Sequence, residues 1–155
     1  MDRSDVIILG GGLVGLTLAI ALDAHGLSAT VIDPANPASQ LAAGFDGRAS
    51  AVASAPWRML QAIGVGARLE GLGCPIRSIR VQEGLTPEAL MFDPRKEDEP
   101  LGLMFENRAV RSALRESALA ARRLDLRMPA RAVEVVRDAA SRSRSMTGPS
   151  SRRRC

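Results

Sequence analysis

VIILGGGLVGLTLAIAL, running from Val6 to Leu22, is a stretch of seventeen uncharged residues in which Gly10, Gly12 and Gly15 fall in the spacing G-x-G-x-x-G. That spacing is the phosphate-binding turn of a dinucleotide fold, and each glycine has its own steric task. Gly10 allows the sharp turn out of a strand, Gly12 lets the backbone approach a pyrophosphate, and Gly15 lets the following helix pack closely on the sheet. The helix that starts at Leu13 and Val14 directs unpaired N–H groups and the positive end of its dipole at the anion.

Because the glycine pattern alone is weak, its surroundings carry the reading. Asp5 to Leu9 is a short β-branched run ending on glycine, as expected of a buried strand. Leu13, Leu16, Ala19, Ile20 and Ala21 recur at helical spacing up to Gly26, a natural stop. Ser28 to Ile32 is a second strand, and Asp33 stands at its end, eighteen residues after Gly15. A carboxylate there can accept hydrogen bonds from both hydroxyls of an adenosine ribose. A membrane span does not fit, since Asp2 and Asp5 flank the run, four glycines interrupt it, and seventeen residues are short for a bilayer.

The 155 residues suffice for one domain with a core. Two cysteines, Cys74 and Cys155, make no disulfide framework, and the default is a reducing compartment. The lone histidine, His25, reads as a solvated last-turn residue of the first helix, and no metal site is expected. The net charge of +4 comes from the end of the chain. Residues 139–155 hold Arg142, Arg144, Arg152, Arg153 and Arg154 and no acid, which leaves 16 bases against 17 acids in residues 1–138. The body is therefore not basic, and no nucleic-acid partner is expected of it.

Farther on, Pro34 to Gly47 reads as loop. Arg48 to Ile63 reads as mostly helical, with Val52, Met59, Leu60 and Ile63 buried and Gly64 as the stop. Pro75 to Glu83 reads as a strand with Ile79 and Val81 on one face, and Asp93 to Pro100 as a solvated loop. Glu106 to Arg123 is a second strong helix, with Val110, Ala113, Leu114, Ala118 and Ala121 near one face. Leu124–Met128 and Arg131–Arg137 are strands. After Asp138 the hydrophobic pattern stops. Residues 139–155 read as a disordered arginine-serine tail that could bind a polyanion. They also read as a frameshift product, because an overlapping frame in GC-rich codons gives Ala-Val-Thr-Val-Asp-Asp-Gly-Ala, a hairpin sequence with an Asp-Gly turn.

On these residues the chain resembles the flavin-dependent aromatic hydroxylases of the para-hydroxybenzoate hydroxylase class, most closely those of ubiquinone biosynthesis. Three segments carry the likeness: the glycine turn with Asp33, Phe45-Asp46-Gly47-Arg48-Ala49-Ser50-Ala51-Val52 running on to Gly64, and Phe105-Glu106-Asn107-Arg108-Ala109-Val110 running on to Leu114. The resemblance implies an α/β, Rossmann-like FAD-binding domain over residues 1–138 with the start of an antiparallel substrate-domain sheet. It implies FAD as cofactor, Arg48 as a cation for its pyrophosphate, and Asn107 beside the flavin; a plain N-cap is the alternative role for Asn107. In such enzymes NAD(P)H reduces the flavin, which then activates O₂ to hydroxylate a small aromatic substrate. The flavin carries the chemistry, so no catalytic side chain is named. A cytoplasmic protein, peripheral at the inner membrane or in a ubiquinone-synthesis complex, is implied as well. Family members are more than twice as long. Their later Asp-Gly and Gly-Asp motifs, with the strand that brings the latter into the parallel sheet, are not found in these 155 residues. The expectation is an inactive fragment with weak FAD retention and an open sheet edge. The competing expectation is a nucleotide-binding module with a polyanion-binding tail.

Overall fold

In the computed structural model, which describes residues 3–37, 48–84, 88–94, 99–136 and 142–146, the chain falls into two units. The first comprises residues 1–44 and 114–155, and the second, 45–113, is inserted between them in sequence.

The first unit is built on β1 (Val6–Leu9), α1 (Leu13–Ala24) and β2 (Ala29–Ile32). These are the strand, helix and strand that the opening run predicts. β1 pairs parallel with β2, Val6 opposite Ala29 through Leu9 opposite Ile32. The strand β8 (Leu124–Arg127) joins the far side of β2, also parallel, so the order is β1–β2–β8. The central strand is Ala-Thr-Val-Ile, buried at all four positions, and α1 packs on the sheet through Leu16, Ala19 and Ile20. Gly26, at φ +82°, ends the helix: Leu27 N–H reaches back to Leu22 O at 2.9 Å. His25 is exposed, and its Nδ1 lies 2.8 Å from Ala21 O. Among the described residues β1 pairs on one side only, and Leu9 is exposed.

At the start of the two strands Asp5 and Ser28 clasp each other. Ser28 Oγ and Ser28 N–H donate to Asp5 Oδ2 at 2.7 and 2.8 Å, and Asp5 N–H donates to Ser28 Oγ at 3.0 Å. The Ser28 hydroxyl, then its amide, hold the Asp5 carboxyl below its ordinary value of 3.8. A depressed carboxyl adds stability that is in place above the unfolded-state value and is lost as pH falls through the folded one. Asp5→Asn is therefore expected to lower stability modestly above about pH 4, where the wild-type carboxylate is charged, and to flatten the acid limb, so that the two proteins converge as pH falls. Thermal melts of both proteins between pH 2 and 7 check this.

The second unit is mainly antiparallel. β3 (Ala49–Ala53) and β4 (Cys74–Ile76) flank β7 (Gly102–Glu106), and β5 (Ile79–Gln82) pairs with β6 (Ala89–Phe92). Two helices follow β3, α2 (Ser54–Ala62) and the single turn α3 (Gly66–Leu69); α4 (Asn107–Ala120) follows β7 and crosses into the residues of the first unit. The core of this unit is Leu60, Val65, Leu69, Phe105, Val110 and Ala113. Phe105 stacks obliquely on Trp57, with ring centroids 5.3 Å apart.

Several expectations are corrected here. Ala49–Ala53 is a strand and not the first turns of a helix. Alanine favours helix intrinsically, but pairing in register with β7 supplies a hydrogen-bonded ladder that outweighs the local preference. Gly102 makes that pairing close, because a Cβ there would press on the Val52 carbonyl. Met59 is exposed, while Val65 and Leu69, absent from the predicted core, are buried. The predicted strand Pro75–Glu83 is two strands in two sheets, and β6 and β7 are not foreseen. Ile79 and Val81 do share a face, with Leu90 and Phe92 opposite them, and all four are exposed. Beyond β9 (Arg131–Val136), β10 (Arg142–Met146) pairs antiparallel with it, with a register shift after Arg144. A two-stranded ladder needs only backbone donors and acceptors, which arginine and serine supply as well as apolar residues do. The rest of 139–155 lies outside the described residues, as do the loop expectations for residues 38–47 and for 95–98.

Candidate nucleotide site

The end of β1, the glycine turn and the start of α1 form one continuous piece of the first unit. Gly10 sits at φ +112°, a conformation open to glycine, and its N–H donates to Ile32 O at 2.8 Å. Gly15 is needed for a different reason: a Cβ there would lie against the Gly10 carbonyl oxygen, well inside van der Waals contact. Gly12 is the opposite case. Its φ of −78° suits any residue, and nothing lies within 4 Å of where its Cβ would stand.

Gly12 is also the N-cap of α1, with no side-chain capping bond and no acid in the first turn. The helix begins without the acceptors that usually satisfy its first N–H groups. Leu16 N–H makes the first helical bond, to Gly12 O at 3.0 Å. Val14 is 84% exposed at this end. An anionic group above Gly12 would meet open space, free amides and a positive dipole end, which are the requirements of a pyrophosphate. The residues present fit the adenosine and pyrophosphate part of FAD.

Asp33 follows β2 and borders the turn. Its Oδ2 accepts from Gly11 N–H at 2.6 Å and its Oδ1 from Ala35 N–H at 2.7 Å. Its backbone is tied to the end of β8 and the residues after it, N–H to Arg127 O at 3.2 Å and O to Ala130 N–H at 2.8 Å. A carboxylate has about four acceptor positions, so acceptor capacity remains on both oxygens.

Arg48 and Asn107 belong to the second unit. Arg48 is exposed just before β3, and its carbonyl accepts from Asn107 N–H at 3.2 Å. Asn107 begins α4, and its Oδ1 accepts from Ser50 Oγ at 2.5 Å. The second and third segments of the resemblance are thus joined through the β3–β7 pair, which brings Arg48 and Asn107 together. Phe45 to Gly47 lie outside the described residues. Sequence reasoning missed two residues, Gly11 beside Asp33 in the first unit and Ser50 beside Asn107 in the second. Gly11 is buried with Asp33 and Met128 against it, and the triple-glycine run signals it. Ser50 has no individual signal and is found only through its partner. Among the described residues no group of three or more His, Cys, Asp or Glu is arranged to hold a metal ion.

The FAD binding domain family model matches residues 3–152. The chain is 48% identical over 111 residues to ubiquinone hydroxylase UbiL of Rhodospirillum rubrum, covering 72% of this chain and 26% of that protein. It is 35% identical over 129 residues to 3-demethoxyubiquinol 3-hydroxylase of Escherichia coli, covering 81% and 33%. It thus spans a quarter to a third of the length of these curated relatives. The flavin-dependent monooxygenase PieE, solved with FAD and substrate, superposes with a TM-score of 0.66 at 20% identity over 92% of this chain and 27% of that one. PqsL, a probable FAD-dependent monooxygenase from Pseudomonas aeruginosa, gives 0.66 at 20% identity over 90% and 36%. These structures share the fold. With a family match along nearly its whole length and a glycine turn of the required shape, the chain belongs to the FAD-binding domain family.

Proposed function

We propose that this chain provides the adenosine- and pyrophosphate-holding part of a FAD-dependent monooxygenase that hydroxylates a polyprenyl-phenol ring in ubiquinone biosynthesis. The observation that carries the cofactor assignment is the open space over Gly12 at the uncapped start of α1. The substrate class rests on the two hydroxylase relatives. In this reading the amides following Gly12, at Leu13 and Val14, hold the pyrophosphate, with Gly10 and Gly15 shaping the turn. Asp33 holds the ribose, Arg48 adds a cation toward the pyrophosphate, and Asn107 borders the flavin. Bound FAD supplies hydride acceptance from NAD(P)H and activation of O₂. The chain's own residues bind and orient. A polyprenyl substrate resides in lipid, so the reading includes peripheral contact with the inner membrane and its ubiquinone-synthesis assembly; no helix among the described residues is long and apolar enough to cross a bilayer.

Gly12→Ala separates binding from folding. The new methyl group meets no protein atom, so the melting temperature is expected to stay within about 2 °C of wild type, as for a harmless surface change. It does occupy the space of the anion, and displacing one charge-assisted amide contact is expected to weaken FAD about tenfold or more. Quenching of flavin fluorescence on titration with the chain reads the affinity. Equal FAD affinity in both proteins, or no binding by either, contradicts the proposal.

A further inference from the structure

We infer that Asp33 is a positioning residue as well as a ribose ligand: its carboxylate presets the glycine turn through Gly11 before any nucleotide arrives. This inference rests on the nucleotide-binding reading above and deepens it. The carboxylate is shared between two backbone amides on opposite sides, Gly11 N–H from the turn and Ala35 N–H from the chain leaving β2. The first bond spans 22 residues of sequence and joins the middle of the turn to the end of β2, beside the backbone bond from Gly10 N–H to Ile32 O. Gly11 is buried, and a Cβ there would meet Met128 Cε at 2.5 Å and Asp33 Cβ at 3.2 Å. Its backbone is therefore seated against Asp33 and the end of β8, with its N–H committed to the carboxylate. Gly12, one residue later, is left unobstructed.

The physical consequence is a division of labour within the turn. A chain of three successive glycines has more conformational freedom to lose than any other tripeptide. Left untethered, it would present the Gly12 amide and the helix start in many arrangements, and a bound anion would have to order them. A charge-assisted bond at Gly11 fixes the middle of the run in advance, which lowers the ordering cost at binding. The backbone bonds from Asp33 to Arg127 and Ala130 hold the carboxylate itself in place. Asp33 thus acts on the pyrophosphate through Gly11 and on the ribose directly.

The two roles separate with ligands that differ only in the ribose. ADP carries both ribose hydroxyls and the pyrophosphate, whereas 2′,3′-dideoxy-ADP carries the pyrophosphate alone. Isothermal titration of wild type, Asp33→Ala and Asp33→Asn with both ligands is expected to show that Asp33→Ala weakens dideoxy-ADP at least about fivefold and ADP more. Asp33→Asn, which keeps an acceptor oxygen without the charge, is expected to fall between. A loss confined to ADP, with dideoxy-ADP bound equally by all three proteins, overturns the positioning role and leaves a ribose ligand only. Amide hydrogen exchange of the ligand-free proteins tests the tether without any nucleotide. Gly11 is expected to exchange at least about tenfold faster in Asp33→Ala while the β1 and β2 amides keep their protection. Unchanged exchange at Gly11 overturns the inference. If wild type binds neither ligand, the nucleotide-binding proposal fails, and the Gly11 exchange result still decides whether the tether exists.

Discussion

Gly15→Ala is expected to destabilise the chain by about 3 kcal/mol, the range for forcing a methyl group into a packed site, and to abolish measurable FAD binding. The added Cβ would meet the Gly10 carbonyl oxygen and, behind it, the Gly10 carbonyl carbon at 3.1 Å and Ile8 Cγ2 at 3.3 Å. Two of these three atoms are backbone, so no side-chain rotation relieves the clash. Relief requires α1 to withdraw from the end of β1, which breaks both the turn at Gly10 and the burial of Leu16, Ala19 and Ile20 against the sheet. Gly12→Ala, three residues away, adds the same methyl group without that cost. Urea unfolding followed by circular dichroism, with the two variants side by side, reads the difference. Equal stability of the two variants would mean that α1 is not pinned at Gly15.

Phe105→Ala is expected to cost about 4 kcal/mol, the middle of the range for removing a buried aromatic ring. Phe105 is 1% exposed and is the largest fully buried side chain among the described residues. It stacks on Trp57 from α2, and a Cβ at Gly73 would stand 2.7 Å from its ring, so strand and loop close around it as well. Leucine at this position refills part of the cavity and is expected to recover about half of the loss. Trp57 is the only tryptophan in the chain, so its fluorescence reports the site directly. The Ala variant is expected to shift its emission to longer wavelength at a lower urea concentration than wild type. A stability within about 1 kcal/mol of wild type would contradict a packed core at this position. Because Phe105 immediately precedes Glu106 and Asn107, the same change is expected to loosen the Asn107–Ser50 contact.

The opening glycine run was legible because its constraints are local. Val6 to Leu9, the turn and α1 lie within one stretch of chain, and each glycine answers to an atom a few residues away or to the ligand's space. Spacing singles out Asp33 as the acid at the end of β2, but its bond to Gly11 leaves no signal, since pairing across 22 residues has no periodic trace. Arg48 and Asn107 emerged from the family likeness. That Arg48 and Asn107 adjoin each other, with Ser50 holding the Asn107 side chain from 57 residues away, is a consequence of strand pairing.

The second unit was read least well, for a consistent reason. Ala49–Ala53 and Gly102–Glu106 are short, with neither a long helical period nor a strong alternation, so each becomes a strand only in the presence of the other. The same holds for the pair Ile79–Gln82 and Ala89–Phe92, where an apolar face appears once the register is known. Helical spacing places Met59 in the core, yet α2 turns Leu60 inward and leaves Met59 exposed. Spacing defines an apolar stripe, and only the neighbouring elements decide which part of it is covered.

By itself, then, the sequence determined the strand–turn–helix–strand that can hold a nucleotide, its acidic residue and the α/β class, because sterics and periodicity act over a few residues. Only the tertiary structure decided the order β1–β2–β8, the division into two units, the antiparallel partners of β3 and β7, and the bond between Asp33 and Gly11. Those depend on which backbone donors meet which acceptors after the chain has returned on itself, and a one-dimensional pattern does not record that meeting.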